Sequence, residues 1–284
     1  MSIIPLELPE LRIVPLAALR LHETCDEARV QRLMARLEND GLLRNPPIVA
    51  LLDDGENYVV LDGATRTTAL QRLKVRDVLV QVINYDETGV ELHTWHHLVA
   101  GISLEACATA IREVAGLSLS EAPPLEAQLA VERGEALAAV VWNNGVTCTI
   151  GKQQVKAPDL KTHASLMVRM VDAYLDCGAK IFRLGTDHFG PSAARIEGAT
   201  ALVVFPRVQP ADILELAANS ARLPAGITRH VIPNRALRVN LPLSFLRQER
   251  SLEAKNAWLA EMVRQKTIDK GIRYYAEPTF VFDE

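Results

Sequence analysis

The sequence predicts an α/β protein, with an N-terminal α/β domain at residues 1–104 and a mixed α/β domain at residues 105–284. At 284 residues the chain is long for a single core, and 49% of its residues are hydrophobic, which is enough to fill two. In the first hundred residues, short β-branched runs alternate with segments of helical apolar spacing. The segment 118–124 is polar and contains two prolines, so it is the best candidate for a linker.

The N-terminal elements are predicted from apolar spacing and turn residues. Residues 26–39 place four apolar side chains on one helical face, and Gly41 follows where glycine commonly ends a helix. Residues 93–99 lead out of this unit. The other expected elements are strands at residues 11–14, 47–52 and 78–83, a strand ending at residue 61, and a helix from residue 65.

The second part of the chain contains one strong hairpin signal. Asn143-Asn144-Gly145 separates two apolar runs at residues 136–142 and 146–150, and this combination favours a tight turn between paired strands. Further helices are expected at residues 103–115, 159–176, 210–221 and 252–270, and further strands at residues 180–184, 201–206, 235–246 and 272–282.

Composition limits the classes of function. The net charge of −4 argues against a protein whose main task is holding duplex DNA, because phosphate neutralisation dominates that affinity. No segment approaches the roughly 20 consecutive apolar residues that span a bilayer. The four cysteines lie far apart without metal-ligand spacing, and the N-terminus lacks the regions of a signal peptide. We therefore expect a cytoplasmic protein with reduced thiols, no membrane partner and no nucleic-acid partner.

Residues 58–70 are the most informative segment, since they read as a strand, a glycine turn and a helix in immediate succession. Such a helix directs unpaired backbone N–H groups, and the positive end of its dipole, at whatever lies above the turn. Asp62 and Arg66 add one charge of each sign around Gly63. The pattern indicates a cradle for phosphate and metal, although Asp62 could equally be a simple helix cap.

Two further features accompany this turn. Glu23 stands in the sequence His-Glu-Thr upstream, and Thr94-Trp95 lies downstream. In the C-terminal part, residues 224–230 read Pro-Ala-Gly-Ile-Thr-Arg-His and are followed by Asn-Arg-Ala-Leu and Asn-Leu-Pro-Leu. In this order, the motifs resemble the free L-serine kinases, a branch of proteins with the ParB/sulfiredoxin-like fold.

The resemblance implies a ParB/sulfiredoxin-like N-terminal domain that binds the nucleotide and a C-terminal domain that completes the substrate site. It implies transfer of a phosphoryl group from ATP or ADP to L-serine, with Mg²⁺ as cofactor. The product, O-phospho-L-serine, would supply a pyridoxal-phosphate-dependent pathway to 2,3-diaminopropionate for a siderophore, or to cysteine. The family turn usually has histidine where this chain has Thr65. A homodimer is compatible with these expectations.

Phosphoryl transfer to an alcohol needs a held phosphate, a metal and a positioned hydroxyl. Backbone N–H groups of Gly63, Ala64, Thr65 and Arg66 could bind phosphate oxygens, and the Arg66 guanidinium could add a charge. Asp62 could hold Mg²⁺ or the acceptor hydroxyl. The resemblance implies that Glu23 is the base that takes the proton of serine.

Recognition of serine needs a cation for the carboxylate, and the planar fork of Arg229 suits this role. The resemblance adds His230, Thr94 and Trp95 to the pocket. Each has a plainer interpretation: without the resemblance, Glu23 would be an exposed loop acid, Trp95 a packing residue and Arg229 a surface charge.

Two other functions remain as alternatives at this point. A ParB-like regulator that binds DNA or a nucleotide without kinase activity would call for a helix-turn-helix and a basic face. A ParB-like nuclease would favour a cluster of acidic or histidine ligands for two metals. Histidines at positions 22, 93, 96 and 97 tempt a zinc interpretation, but adjacent side chains such as His96 and His97 point apart on either a strand or a helix.

Overall fold

The computed structural model describes residues 8–86, 89–152, 159–185 and 197–275. The predicted α/β class is confirmed. The N-terminal elements are β1 (Glu10–Pro15), a 3₁₀ turn (Leu16–Ala18), β2 (Leu19–Leu21), α1 (Glu27–Asp40), β3 (Leu42–Leu43), β4 (Ile48–Leu51), β5 (Tyr58–Asp62), α2 (Ala64–Arg72) and β6 (Asp77–Ile83). The elements β1, α1, β4, β5, α2 and β6 match the sequence expectations to within a few residues at each end, whereas the 3₁₀ turn and the short strands β2 and β3 were not expected.

Five of these strands form a mixed sheet in the order β1-β6-β4-β5-β2, in which β2 and β5 run parallel. Helix α1 begins after Asp26, whose side chain accepts a hydrogen bond from Arg29 N, and it ends at Gly41, which has a φ of 64°. Alternate residues of the central strands face two cores: Val49 and Val60 lie in one, Ala50 and Val59 in the other. The sheet is therefore covered on both faces.

The middle of the chain builds a second layer. Its elements are β7 (Glu91–Thr94), β8 (His96–Ala100), α3 (Leu104–Glu113), β9 (Leu117–Glu121), α4 (Pro124–Glu132), β10 (Ala138–Trp142), β11 (Thr147–Lys152), α5 (Leu160–Asp176), β12 (Lys180–Leu184), β13 (Ala199–Val204) and α6 (Pro210–Ala218). Six strands form an antiparallel sheet in the order β12-β8-β13-β10-β11-β9. The predicted hairpin is confirmed, with Val141 opposite Thr147.

The linker expected at residues 118–124 is wrong. Residues 117–121 are strand β9, which pairs with β11, and Pro124 is the first residue of α4. Proline is favoured at the first helical position because the N–H it lacks would be unpaired there anyway. A proline pair that starts a helix therefore looks the same in sequence as a proline pair in a linker.

The C-terminal segment returns to both layers. It contains β14 (Thr228–Val231), β15 (Leu241–Pro242), α7 (Leu243–Leu246) and α8 (Leu252–Ile268). Strand β14 pairs with β7, and β15 pairs with β3. The strand expected at residues 235–246 is wrong except for Leu241–Pro242, because Leu243 begins a helix. Residues 272–275 form no strand, and the rest of the expected terminal strand lies outside the described residues.

Helix α8 packs on the N-terminal sheet through polar contacts as well as apolar ones. The Asn256 side chain accepts a hydrogen bond from Ile13 N and donates one to Ile13 O, both at 2.8 Å. Both backbone polar groups of this residue in edge strand β1 are therefore hydrogen-bonded. Lys255 is fully buried, and its Nζ donates to Asp77 at 2.6 Å and to the Leu246 carbonyl at 2.8 Å. The Lys255–Asp77 contact joins residues 178 positions apart, and the Asn256–Ile13 contacts join residues 243 positions apart.

The packed layers do not correspond to two consecutive segments of the chain. Strand β8 belongs to the second sheet, and α8 packs against the first. Apolar residues of β4 and β5 share one core with α6. The division into 1–104 and 105–284 stays a prediction about independently folding units. Across the described residues, none of the helices has the length and apolar character of a membrane span.

Candidate active site

The site is organised by two neighbouring parallel strands. Leu21 in β2 is in register with Val60 in β5, and Glu23 and Asp62 each follow two residues later. Neighbouring strands lie about 4.8 Å apart, so both carboxylates leave the sheet at the same edge. Helices α1 and α2 begin shortly after these two strand ends. The sequence motifs around Glu23 and residues 62–66 are therefore adjacent in space.

The turn after β5 leaves the start of α2 open. Gly63 is the N-cap residue with a φ of 99°, and no side chain in the described part of the protein caps this helix. A Cβ at Gly63 would lie 3.1 Å from Pro47 Cα, so a side chain here would be both strained and crowded. The interpretation of Asp62 as a helix cap is wrong, since the cap position belongs to Gly63. The first N–H groups of α2 are available to an anion.

Asp62 is held between two arginines. Its Oδ2 accepts from Arg66 Nη2 at 2.8 Å and from Arg235 Nη2. Arg66 also donates through Nη1 to the carbonyls of Asn45 at 2.9 Å and Pro46 at 3.2 Å. Arg66 therefore ties the turn to the loop before β4, while Arg235 supplies a second positive charge.

Glu23 is buried rather than exposed, with 9% of its surface accessible. Its Oε1 accepts from Thr228 N at 2.7 Å and from Thr228 Oγ1 at 2.5 Å, and its Oε2 accepts from Gly226 N at 2.8 Å. A parallel bridge between Glu23 and Leu223 joins the two backbones. The exposed-acid interpretation is wrong, and the 224–230 motif fixes the orientation of the carboxylate.

His22 lies directly behind this contact. Its Nδ1 is 2.8 Å from the Val60 carbonyl, and its Nε2 is 2.9 Å from Thr228 Oγ1. Burial lowers the pKa of His22, and the charge of Glu23 opposes this shift less strongly. The ring is therefore neutral near pH 7 and links β5 to the 224–230 segment.

His230 shares the same face of β14 as Thr228. Its Nε2 is 2.7 Å from the Tyr85 hydroxyl, and its ring centroid is 5.5 Å from that of His22. Nδ1 lies beside the Leu61 backbone without a hydrogen-bond partner of ordinary geometry among the described residues. Burial lowers the pKa of His230 to about 3. The ring is therefore neutral near pH 7, and its Nδ1 is closed off from solvent.

The remaining predicted site residues lie on the β7–β14 ribbon. Thr94 pairs with Thr228, and its Oγ1 donates to the Pro206 carbonyl at 3.3 Å. The Arg229 guanidinium stacks over the Trp95 ring at 4.7 Å. Because side chains alternate along a strand, Arg229 and Trp95 lie on the ribbon face opposite Thr228. The structure thus separates Arg229 from the face that holds Glu23.

Three contributors were not singled out from the sequence: Thr228, Arg183 and Arg235. A Cβ built on Gly226 would lie 1.9 Å from Arg183 Nη2, so the guanidinium rests directly on the glycine that donates to Glu23. Burial lowers the pKa of Arg183, whereas the charge of Glu23 raises it. No local pattern marks Arg183, because it belongs to β12 and meets Gly226 only in the folded protein.

The paired histidines of β8 are engaged elsewhere. His96 Nδ1 accepts from Phe205 N at 3.2 Å, and His97 Nδ1 lies 2.6 Å from the Tyr174 hydroxyl. Burial lowers the pKa of His96 to about 4 and that of His97 to about 3. Among the described residues, no group of three or more His, Cys, Asp or Glu side chains is arranged to hold a metal.

Comparison with known proteins agrees with the motifs. No protein-family model matches the chain. The chain is 26% identical over 281 residues to the ATP-dependent L-serine kinase SbnI of Staphylococcus aureus, covering 96% of this chain and 97% of SbnI. It is 24% identical over 153 residues to the ADP-dependent L-serine kinase SerK of Thermococcus kodakarensis, covering 54% of this chain and 62% of SerK.

Among solved structures, a free serine kinase in complex with AMP has the same fold. It superposes with a TM-score of 0.72 at 18% identity, covering 86% of this chain and 96% of the other. The chain therefore resembles the free L-serine kinases over nearly its whole length, as its short motifs predicted.

Proposed function

We propose that the protein is a free L-serine kinase that transfers a phosphoryl group from ATP or ADP to L-serine. The observation that carries this proposal is the parallel register of β2 and β5, which brings Glu23 and the open start of α2 to one sheet edge. Similarity to SbnI and SerK, both named as L-serine kinases, supports the substrate. The nucleotide site belongs to residues 1–104, and β14 completes the substrate site from residues 105–284.

Glu23 acts as the general base in this reaction. It takes the proton of the serine hydroxyl while the serine oxygen bonds to the terminal phosphorus and the bond from phosphorus to the nucleotide oxygen breaks. The products are O-phospho-L-serine and ADP from ATP, or AMP from ADP. Fixed donors at Gly226 and Thr228 hold the carboxylate in one orientation, and such positioning supplies much of the acceleration in phosphoryl transfer.

The phosphates bind at the start of α2. The N–H groups of Ala64, Thr65 and Arg66 belong to the first turn, where no intrahelical acceptor exists. The hydroxyl of Thr65, at the position where the family usually has histidine, donates to a phosphate oxygen. Arg235 is 40% exposed and places its charge beside the turn, so it is the better-placed guanidinium for the phosphates than Arg66, which is held by carbonyls.

Mg²⁺ fits this site with few protein ligands. Both arginines bond to Oδ2 of Asp62, which leaves Oδ1 as a hard oxygen ligand. In nucleotide sites, Mg²⁺ usually takes one or two carboxylates and obtains its remaining ligands from phosphates and water. The metal would neutralise charge on the transferring phosphoryl group.

Serine recognition combines the ribbon residues with His230. His230 and Tyr85, which are joined by a hydrogen bond of 2.7 Å, form the inner wall of this pocket. Thr94, which pairs with Thr228, forms the adjacent wall, whereas Trp95 and Arg229 lie on the other face of the ribbon.

The proposal is tested by phosphorus NMR of the purified protein with Mg²⁺, L-serine and either ATP or ADP in parallel. Phosphoserine should appear with at least one nucleotide and should be lost in Glu23→Gln. Glu91→Gln is the matched control, because Glu91 is an exposed acid whose partner is His93. Absence of phosphoserine with both nucleotides would refute the kinase, and an active Glu23→Gln protein would refute the base.

A further inference from the structure

Three groups behind the proposed base form a short hydrogen-bonded array. The Thr228 hydroxyl lies 2.5 Å from Glu23 Oε1 and 2.9 Å from His22 Nε2. His22 Nδ1 lies 2.8 Å from the Val60 carbonyl on the other side of the ring. The side chains of His22 and Glu23 are buried and that of Thr228 is partly buried, so the array is shielded from bulk water.

The number of protons in this array is one short of the number of contacts. A carbonyl only accepts, so Nδ1 of His22 must carry the proton of the neutral ring, and Nε2 presents a lone pair. The Thr228 hydroxyl has a single proton, yet it faces two acceptors, Nε2 and the carboxylate. While Glu23 is ionised, the hydroxyl donates to the stronger acceptor, the charged carboxylate, and Nε2 is left unsatisfied.

We infer that the Thr228 hydroxyl is a switch that turns from Glu23 to His22 when Glu23 takes up a proton. This inference rests on the proposed function, in which the proton comes from serine. The serine O–H bond breaks and an O–H bond forms on Glu23. The Thr228 O–H bond stays intact and only rotates. The protonated carboxyl no longer needs the hydroxyl, and Nε2 gains the hydrogen bond that it lacked. His22 is thus a positioning residue that favours the proton-accepting step.

The charged and titratable groups around His22 are consistent with this role. Glu23 faces the ring through Thr228, and His230 lies at 5.5 Å from the opposite element. The Tyr85 hydroxyl is hydrogen-bonded to His230 Nε2. The charge of Asp62, at the end of β5, raises the pKa of His230 but does not outweigh the effect of burial. Burial lowers the pKa of His22, so the ring remains the neutral acceptor that the switch requires.

Kinetic variants separate the switch from simple packing. His22→Phe should lower kcat about fivefold to tenfold, the effect of one neutral hydrogen bond, with little change in KM. The pH at which kcat is halved on the acid side should move downward, because protonated Glu23 loses its stabilisation. Thr228→Val also removes the hydroxyl bond to the ionised carboxylate, so its acid limb should move upward instead. Adding His22→Phe to Thr228→Val should shift the limb no further, and Thr228→Ser should keep the wild-type profile. An unchanged acid limb in His22→Phe, or full additivity, would overturn the switch.

A second measurement does not depend on kinase activity. In protein labelled with ¹⁵N-histidine, Glu23→Ala should shift the Nε2 signal of His22 to lower frequency, since Nε2 then accepts from Thr228. The double variant Glu23→Ala/Thr228→Val should return the signal to its wild-type position, and exposed His93 serves as the internal control. An unmoved signal refutes the inference. If the signal moves in Glu23→Ala but the wild-type protein has no kinase activity, the switch is supported and the proposed function is refuted.

Discussion

Thr228 donates both its backbone N–H and its hydroxyl to the same oxygen of Glu23, although the two residues are 205 positions apart. This double contact joins the end of β2 to the start of β14. Together with the Gly226 N–H, it leaves the carboxylate little rotational freedom. The C-terminal motif therefore acts on the base as well as on the substrate pocket, and disturbing it should affect turnover before it affects folding.

Gly226→Ala tests this coupling. Gly226 has a φ of 69°, and a Cβ there would collide with Arg183 Nη2 at 1.9 Å. We expect turnover to fall at least tenfold, because the N–H that holds Glu23 Oε2 must move. Gly134→Ala is the matched control, since Gly134 has a φ of 70° and nothing within 4 Å of its Cβ. Both variants should lose about 1–2 kcal/mol of stability from left-handed backbone strain, which thermal melting measures. Equal turnover in the two variants would contradict the coupling.

Asp62→Asn should lower kcat/KM about tenfold to a hundredfold, which corresponds to about 1.4–2.7 kcal/mol of transition-state stabilisation. The reason is that the amide weakens both the ion pairs to arginine and the bond to Mg²⁺. Steady-state kinetics at several Mg²⁺ concentrations measure the effect. Asp40→Asn is the control, because Asp40 makes a similar ion pair with Arg44 at 2.9 Å on the surface. If Asp62→Asn instead caused gross loss of circular dichroism, its role would be structural.

Arg66→Ala is expected to lower both turnover and stability. Its guanidinium joins Asp62 to the carbonyls of Asn45 and Pro46, so its replacement removes three hydrogen bonds from this turn. Removal of such part-buried hydrogen bonds costs about 1–3 kcal/mol, measured by urea unfolding. Arg235→Ala should lower turnover with a smaller loss of stability, since among the described residues Arg235 bonds only to Asp62. Comparison of the two variants thus separates the effect of a positive charge at the site on turnover from the effect of hydrogen bonds to the backbone on stability.

Local signals made much of the site predictable. Asp62, Gly63 and the start of α2 follow from a β-branched run, a glycine and helical spacing, all within 15 residues, and these signals need no tertiary information. The same reasoning failed at Pro124, because proline fits the first turn of a helix as well as a linker. It also missed β14, whose four residues are organised by their pairing with β7.

The contacts that orient the site could not be predicted from the chain. Thr228 and His22 meet only because β2, β5 and β14 converge, and no spacing rule connects positions 22 and 228. Arg229 was expected at the substrate because its chemistry suits a carboxylate. Strand alternation instead places it on the face opposite Thr228. Residue chemistry predicted which residues belong to the site. The pairing register of the strands determines which face of the ribbon each side chain occupies.

Acid should destabilise the protein through its buried histidines. Burial lowers the pKa of His97 to about 3, with smaller contributions from Arg183 and His96, whereas an unfolded histidine titrates near 6.5. Between these values the unfolded state binds more protons, so stability falls as pH drops below about 6.5. His97 accounts for up to about 2 kcal/mol of this loss between pH 6.5 and pH 5.

His97→Phe should therefore flatten the dependence of unfolding free energy on pH between 6.5 and 5. The variant loses some stability at every pH, because the Tyr174 hydroxyl loses its partner at 2.6 Å. Urea unfolding at pH 7, 6 and 5 gives the slope, and exposed His93→Gln is the control. A slope equal to that of the wild type would mean that His97 is not neutral in the folded state.

The ion pair between Lys255 and Asp77 should show the asymmetry of buried charges. Lys255 is fully buried, Asp77 is 3% exposed at its side chain, and Nζ lies 2.6 Å from the carboxylate. Lys255→Met should cost about 3–5 kcal/mol, because it leaves the carboxylate buried with Arg76, at 3.8 Å, as its one remaining cation among the described residues. The double variant Lys255→Met/Asp77→Leu should recover most of that loss, since replacing both charges by apolar groups is often neutral. Urea unfolding of the two single variants and the double variant measures the cycle, and a double variant no more stable than Lys255→Met would show that the pair stabilises the docking of α8 on its own account.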